Sequence, residues 1–381
     1  MPSRTPVKKK QQLSKIESRA SGSNGKTQPP IDENIKITPN PGLEGIEAIK
    51  AKYPPRAKAQ YSIRDTFGID LGPERDENGE IIKDKNGEPV LRDRNVLGFA
   101  EANEFTPAVN PNYVFPRDET LAILMGISGD PKDPILAVGH TGTGKTSLFE
   151  QIAARLKFGC VKISFDTAVM RGDVVGEPVV RGKEMSFQYG IVPVAFCMPG
   201  TMILLDEWDA QNEETAFVLQ RPLQKEDRSI FLLETLELIE MHPDNVICAT
   251  ANTNGQGDDT GLYGHGTRVQ SYAQLNRFTV SIKLNYLPPE QEKQILENTY
   301  EDLDTDEIDS LLAAVNKVRD AFTNGQLSVP LSTRDLLNWA DKYVKFGDAF
   351  KAATFCFLNR MSIEDAKVCE GIIQRSFEDQ G

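Results

Sequence analysis

The chain has 381 residues and a formal net charge of -13, with 39% hydrophobic and 26% charged residues. That suits two compact units plus a tail, and no apolar run approaches the ~20 residues that a membrane span requires. The opening MPSRTPVKKKQQ lacks the apolar stretch and cleavage site of an export signal, so a reducing, cytoplasmic setting is expected. Cys160, Cys197, Cys248, Cys356 and Cys369 stand singly, without a C-x-x-C pair, and read as small core residues.

Charge is unevenly spread. Residues 1 to 27 hold seven Lys/Arg and one Glu, so this stretch carries +6 and the remainder -19. An acidic body repels phosphate backbones, which disfavours a nucleic-acid partner for the main domain. Residues 1–60 are rich in Lys, Ser, Gly and Pro and too poor in apolar area to offset the entropy of ordering them, so a disordered tail is expected there. Lys8, Lys9 and Lys10 read as solubilising charge rather than as an address. The segment 61–110 follows, with the tandem repeat RDENGEII and KDKNGEPV at 75–90. Asn-Gly favours tight turns, and neither copy has the acidic register of a calcium loop, so a charged, exposed insertion is expected.

From Pro111 to residue 287, short apolar runs alternate with helical stretches. Candidate strands are Ile135 to Val138, Val161 to Phe165, Met202 to Leu205, Val246 to Thr250 and Phe278 to Leu284. This alternation predicts an α/β core with a five-stranded parallel sheet covered by helices. After Pro288 and Pro289 the strands stop. Ile308, Leu311, Leu312, Val315, Val318 and Phe322 recur at helical spacing, so residues 288–381 read as a small helical bundle.

Directly after the first strand stands GHTGTGKT, comprising Gly139, His140, Thr141, Gly142, Thr143, Gly144, Lys145 and Thr146. It satisfies G-x-x-x-x-G-K-S/T, and the SLFEQIAARL behind it forms an apolar helix face through Leu148, Phe149, Ile152, Ala153 and Leu156. Strand, glycine turn and helix N-terminus are what a triphosphate needs, because backbone N–H groups and the helix dipole then face the phosphates. Lys145 would reach the β and γ phosphates of ATP, and Thr146 would bind Mg2+. In TMILLDEWD, Asp206 would hold the same ion and Glu207 would polarise the attacking water. Asn252, at the tip of VICATAN, would orient that water, with Asn254 as the fallback. Arg277 in AQLNRF could project into a neighbouring subunit's site as an arginine finger or form a surface salt bridge. Arg334 in LSTRDLL would touch the γ-phosphate from the same chain. The histidines His140, His242 and His265 offer no metal-ligand spacing.

The order of these motifs resembles the MoxR branch of the AAA+ ATPases and, within it, the ATPase subunits of aerobic cobalt chelatases. YSIRDTFGID, AEANEFTPAVNPNYVF, ETLAILMG, ATANTNGQGDDTGLYGHGT, QLNRF, LNYLPPE and LSTRDLLNWA carry the likeness from about residue 61 onward. The resemblance implies an AAA+ core with a C-terminal helical lid and a hexameric homo-oligomer. It further implies work with a VWA-domain subunit and a large cobalt-inserting subunit, while this chain itself holds neither tetrapyrrole nor cobalt. Family roles fall on Lys145, Thr146, Asp206, Glu207, Asn252, Arg277 and Arg334. The basic tail and the Asn-Gly repeat are additions to the usual N-terminal segment. Thr333 stands where the family commonly has proline, a change of little expected consequence. The segment 174–190 reads as a hairpin around Arg181 and Gly182, either a partner-contacting insert at the ring pore or a plain surface hairpin. A MoxR-type chaperone, cellular or viral, acting on a VWA or assembly protein is the alternative function, and a nucleic-acid motor a weaker third.

Overall fold

The computed structural model describes residues 45–166, 168–255, 257 and 267–378. The first 44 residues, including Lys8 to Lys10, and residues 258–266 of GDDTGLYGHGT lie outside them. The expectation of little order up to residue 60 is corrected from residue 45 onward. Helix α1 (Ile46–Lys52) buries Ile46 and Ile49, and strand β1 (Lys58–Ser62) is in place before residue 60. Two isoleucines three residues apart suffice once a neighbouring surface receives them. After α2 (Ile63–Phe67), strand β2 (Asn95–Phe99) pairs antiparallel with β1, Lys58 lying opposite Phe99.

Between them the repeat forms two stacked turns, exposed along nearly its whole length. In each copy an aspartate, Asp76 or Asp84, accepts backbone N–H groups two and four residues ahead, and Gly79 and Gly87 take φ of +85° and +83°. The Asn-Gly pairs therefore act as expected of turn formers, with glycine taking the left-handed position.

The core runs through α3 (Arg117–Ser128), β3 (Ile135–Val138), α4 (Lys145–Leu156), β4 (Gly159–Ser164) and α5 (Arg171–Val175). A hairpin of β5 (Gly176–Arg181) and β6 (Glu184–Tyr189) follows, then α6 (Ile191–Phe196), β7 (Thr201–Asp206) and α7 (Glu213–Leu219). A second hairpin, β8 (Ser229–Leu232) with β9 (Glu237–Glu240), precedes β10 (Val246–Ala251), α8 (Tyr272–Leu275) and β11 (Val280–Lys283). The five-stranded sheet has the order β11-β3-β10-β7-β4, and every neighbouring pair is parallel. All five candidate strands are present, within two residues at each end. The β8–β9 hairpin escaped the sequence reading, although IFLLETLELI buries Ile230, Leu232 and Ile239 and exposes Phe231 opposite Leu238.

Each face of the sheet supports its own core. Met202 and Leu204 point with Ile135 and Ala137 toward α3 and α4, while Ile203 and Leu205 point with Ala249 toward α6, Trp208 and the β8–β9 hairpin. Period-two alternation in apolar strands does this, and each large side chain so buried contributes roughly 1.5–3 kcal/mol.

The helices α9 (Pro289–Thr299), α10 (Thr305–Thr323), α11 (Thr333–Phe346), α12 (Ala349–Cys356) and α13 (Ile363–Glu378) enclose a third core around Trp339. Capping boxes start two of them, Asp304 with Glu307 for α10 and Ser332 with Asp335 for α11. Cys197, Cys248 and Cys369 are core residues, whereas Cys160 and Cys356 are only half-buried, a correction to the reading of all five as core. Among the described residues no helix is long and apolar enough to cross a membrane.

Candidate nucleotide site

Parallel register sets the site. Val138 lies beside Ala251, Leu205 beside Ala249 and Ser164 beside Asp206, so the loops leaving β3, β7 and β10 emerge at one edge of the sheet. In open α/β sheets that carboxyl edge is where ligands bind. The three glycines of the first loop are required for different reasons. A Cβ on Gly139 would stand 2.2 Å from the carbonyl oxygen of Leu284, so proximity excludes it. Gly142 has φ of +79° and a Cβ there would meet Ser332 at 2.3 Å, so both conformation and space demand glycine. Gly144 has open space and φ of +87°, and caps the N-terminus of α4.

Lys145 is buried at the first position of α4. Its Nζ donates to the carbonyl oxygens of Gly139 (2.7 Å) and His140 (3.0 Å) and to Oδ1 of Asn252 (2.9 Å). Burial pulls its pKa down to about 8, with Arg334 adding to the fall and Asp209, Asp206 and Glu207 opposing it. Thr146 Oγ1 donates to Oδ1 of Asp206 at 2.7 Å, and the Thr250 hydroxyl donates to the same oxygen at 2.6 Å. Thr250 Oγ1 also accepts the Glu207 N–H at 3.1 Å, so one hydroxyl ties both carboxylate residues to the neighbouring strand.

Glu207 has a left-handed backbone, φ 56° and ψ 45°, which costs a non-glycine residue on the order of 1 kcal/mol. What holds it there is the next residue: Trp208 is fully buried and meets Phe165 and Phe278 edge-on at 6.1 and 5.5 Å. The strained turn leaves the Glu207 side chain exposed at the site. Partial burial and then the charges of Asp206 and Asp209 raise its pKa, with Lys145 opposing.

Two residues further on, Asp209 is fully buried and makes a contact that the sequence did not reveal. Its Oδ2 accepts the N–H groups of Asn252 (3.0 Å) and Thr253 (2.9 Å) and the Thr253 hydroxyl (2.9 Å). Asn252 is thereby held with Oδ1 on Lys145 and on the Thr141 hydroxyl, the latter at 3.3 Å. The fallback Asn254 is exposed. The third carboxylate of DEWD and the lone hydroxyl of VICAT were the available signals for Asp209 and Thr250. Neither means anything until β7 and β10 are known to be neighbours.

Arg334 opens α11 and lines, with Gly142, Thr143 and Gly144, a cavity of about 330 Å³. Its far wall is apolar, with Tyr113, Val114, Leu287 and Ile295 among the lining residues. The lid touches the phosphate loop at Ser332, against Gly142, and at Phe322, edge-on to His140 at 6.4 Å. Arg277 is the exception. Its guanidinium donates to the Ala273 carbonyl (2.6 Å) and to Gln220 Oε1 (3.3 Å), away from this chain's phosphate loop.

Residues 134–263 match the family model described as AAA domain (dynein-related subfamily), and residues 292–376 match CbbQ/NirQ/NorQ C-terminal. The chain is 34% identical over 325 residues to the aerobic cobaltochelatase subunit CobS of Sinorhizobium sp, covering 83% of this chain and 90% of that protein. It is 27% identical over 234 residues to the putative chaperone BssE of Thauera aromatica, covering 61% and 77%. Among solved structures, the RuvB Holliday junction branch migration motor of Thermotoga maritima aligns over 62% of this chain and 66% of its own, at 16% identity and a TM-score of 0.39. With the phosphate loop, the Asp-Glu strand end and the helical lid in this order, the chain belongs to the MoxR-type AAA+ ATPases, the family of CobS and of CbbQ, NirQ and NorQ.

Proposed function

We propose that this chain binds ATP with Mg2+ and hydrolyses it in a homo-oligomeric ring, remodelling a partner as the motor of cobalt insertion in cobalamin-type biosynthesis. The observation that carries the reading is the convergence of Lys145, Thr146, Asp206, Glu207 and Asn252 on one loop cluster. Its fit to a nucleotide rests on the glycine cradle and on α4, whose first N–H groups face the loop. Thr146 and Asp206 would hold Mg2+ as a hard-oxygen pair, and the bound ion supplies neutralising charge for the phosphate oxygens. Lys145 carries the charge that meets the β and γ phosphates. Glu207 draws the proton from the attacking water, and Asn252, clamped by Asp209, orients that water. Arg334 approaches the γ-phosphate from the lid, and the apolar cavity beyond it takes the base.

Arg277 serves a neighbouring copy in this reading, which its bonding away from the home site supports. We propose residues 111–287 as the ATPase core and 288–381 as the lid. A VWA-domain subunit and a large chelatase subunit are the partners required. The likeness to BssE supports a second reading, in which the same motor acts as a chaperone for a different client.

The test is steady-state ATP turnover against protein concentration. Turnover per chain should rise with concentration, Glu207→Gln should lower it about 100-fold or more, and Arg277→Ala should cost on the order of 1000-fold. Full activity in dilute monomers, unmoved by Arg277→Ala, would sink the ring.

A further inference from the structure

We propose that the Thr333 hydroxyl is a positioning group that sets Arg334 against the nucleotide through a buried ion pair, Glu292 with Arg319. The inference rests on the ATPase reading above and assigns a task to the hydroxyl next to Arg334.

Glu292, on α9, is 1% exposed, and both its oxygens are engaged. Arg319, on α10, grips it in bidentate fashion, Nη2 to Oε1 and Nη1 to Oε2, each at 2.8 Å. Thr333 Oγ1 donates to the same Oε1 at 2.6 Å. The remaining edge of the guanidinium donates from Nε to the Leu331 carbonyl at 2.9 Å, and its face lies 4.4 Å from the ring centre of Tyr286. One buried pair therefore touches α9, α10, the residues on both sides of Ser332, and the connection from the sheet to the lid. A bidentate arginine has fixed geometry, so it acts as a strut rather than a tether.

The strut ends one residue from Arg334. Ser332, which caps α11, presses on Gly142 of the phosphate loop, and Arg334 lines the cavity beside Gly142 and Thr143. The first turn of α11 is thus fixed to the loop on one side by Ser332 and to the other lid helices on the other by Thr333. Helix initiation does not need the Thr333 hydroxyl. Ser332 and Asp335 already form the capping box, and Ser332 sits at φ -82°, ψ 167°, a conformation that even a following proline accepts. What the hydroxyl adds is rotational register of α11 about its axis, and with it the direction of the Arg334 side chain.

The experiment measures ATP turnover of the full chain for wild type, Thr333→Val, Thr333→Ser, Thr333→Pro and Arg334→Ala, and for Thr333→Val combined with Arg334→Ala. Thr333→Val keeps the shape and loses the donor; it should lower kcat on the order of tenfold, the lower end of what one hydrogen bond to a charged partner is worth. Thr333→Ser should restore turnover to within about twofold, and Thr333→Pro should behave as Thr333→Val. In the Arg334→Ala background, Thr333→Val should change nothing further, because the group it aims is gone. A Thr333→Val or Thr333→Pro variant with wild-type kcat overturns the proposal. So does a Thr333→Ser variant that fails to recover, or a full additional loss in the Arg334→Ala background, either of which marks general packing. An inactive wild type overturns the ATPase reading beneath it and this inference with it, whereas an active wild type indifferent to Arg334→Ala overturns this inference alone.

Discussion

The two halves of the nucleotide site are built by different means. The sheet half, at the ends of β3, β7 and β10, is locked by parallel register and by buried acceptors: Asp209 alone takes three donors from the loop after β10, and Asp206 takes two hydroxyls. The lid half meets the same loop through small contacts such as Ser332 on Gly142 and Phe322 on His140. Groups that perform chemistry must hold position to a fraction of an ångström, and a dense hydrogen-bonded lattice does that. Groups that report nucleotide state to another body need an interface able to separate without unfolding anything.

Damage to the sheet half should therefore cost stability and activity together, and damage to the lid half mainly activity. Asp209→Ala should show the largest combined effect. It strands the N–H groups of Asn252 and Thr253 in a buried site, a loss of about 2–4 kcal/mol measured by denaturant unfolding. Turnover should fall with it because Asn252 loses its place. Asp209→Asn should recover part of the stability but not all, since all three donors meet one oxygen and a neutral amide oxygen accepts them more weakly than a carboxylate does. Gly142→Ala adds a methyl at φ +79° against Ser332. The left-handed conformation costs about 1 kcal/mol, and the lid must shift, so KM and kcat should change together while the sheet core unfolds nearly as before. A fall in stability as large as that of Asp209→Ala would erase the proposed distinction.

The pH dependence sharpens it on the sheet side alone. Lys145 stays protonated below about 8 in the folded chain, against 10.5 for an ordinary lysine. As pH rises through about 8 the free protein loses the charge proposed to meet the phosphates, so kcat/KM should fall there. Between about 8 and 10.5 the unfolded chain holds a proton that the folded chain lacks, so this residue's contribution to stability rises with pH across the same window. The raised pKa of Glu207 places the acid limb above that of an ordinary glutamate, and Glu207→Gln should abolish that limb with the activity. The smallest effect is expected far from either half. Replacing residues 75–90 by a short Gly-containing turn removes an exposed ladder held by isolated bridges, and should change the stability of the sheet core by less than about 0.5 kcal/mol, read as a thermal midpoint.

Much of the phosphate side was legible before folding. GHTGTGKT, the Asp-Glu strand end and Asn252 are local patterns whose chemistry depends on residues adjacent in the chain, and the five strands announce themselves as short apolar runs. Thr333 shows the converse. As a residue type it looked like an inconsequential departure, and only the approach of Glu292, forty-one positions away, gave its hydroxyl a partner.

Order in residues 45–60 was missed because the apolar area that holds α1 is mostly supplied by other segments, α6 among them. Composition along the chain thus determined the fold class, the glycine cradle and the charged groups around the glycine loop. The tertiary structure decided which strand lies beside which, and with that the partners of Thr250 and Asp209, the strained turn at Glu207 and the seat of the lid on Gly142. The reason is physical: local preferences are set within one or two turns of the chain, whereas a buried carboxylate or hydroxyl takes its role from donors that only long-range register brings within 3 Å.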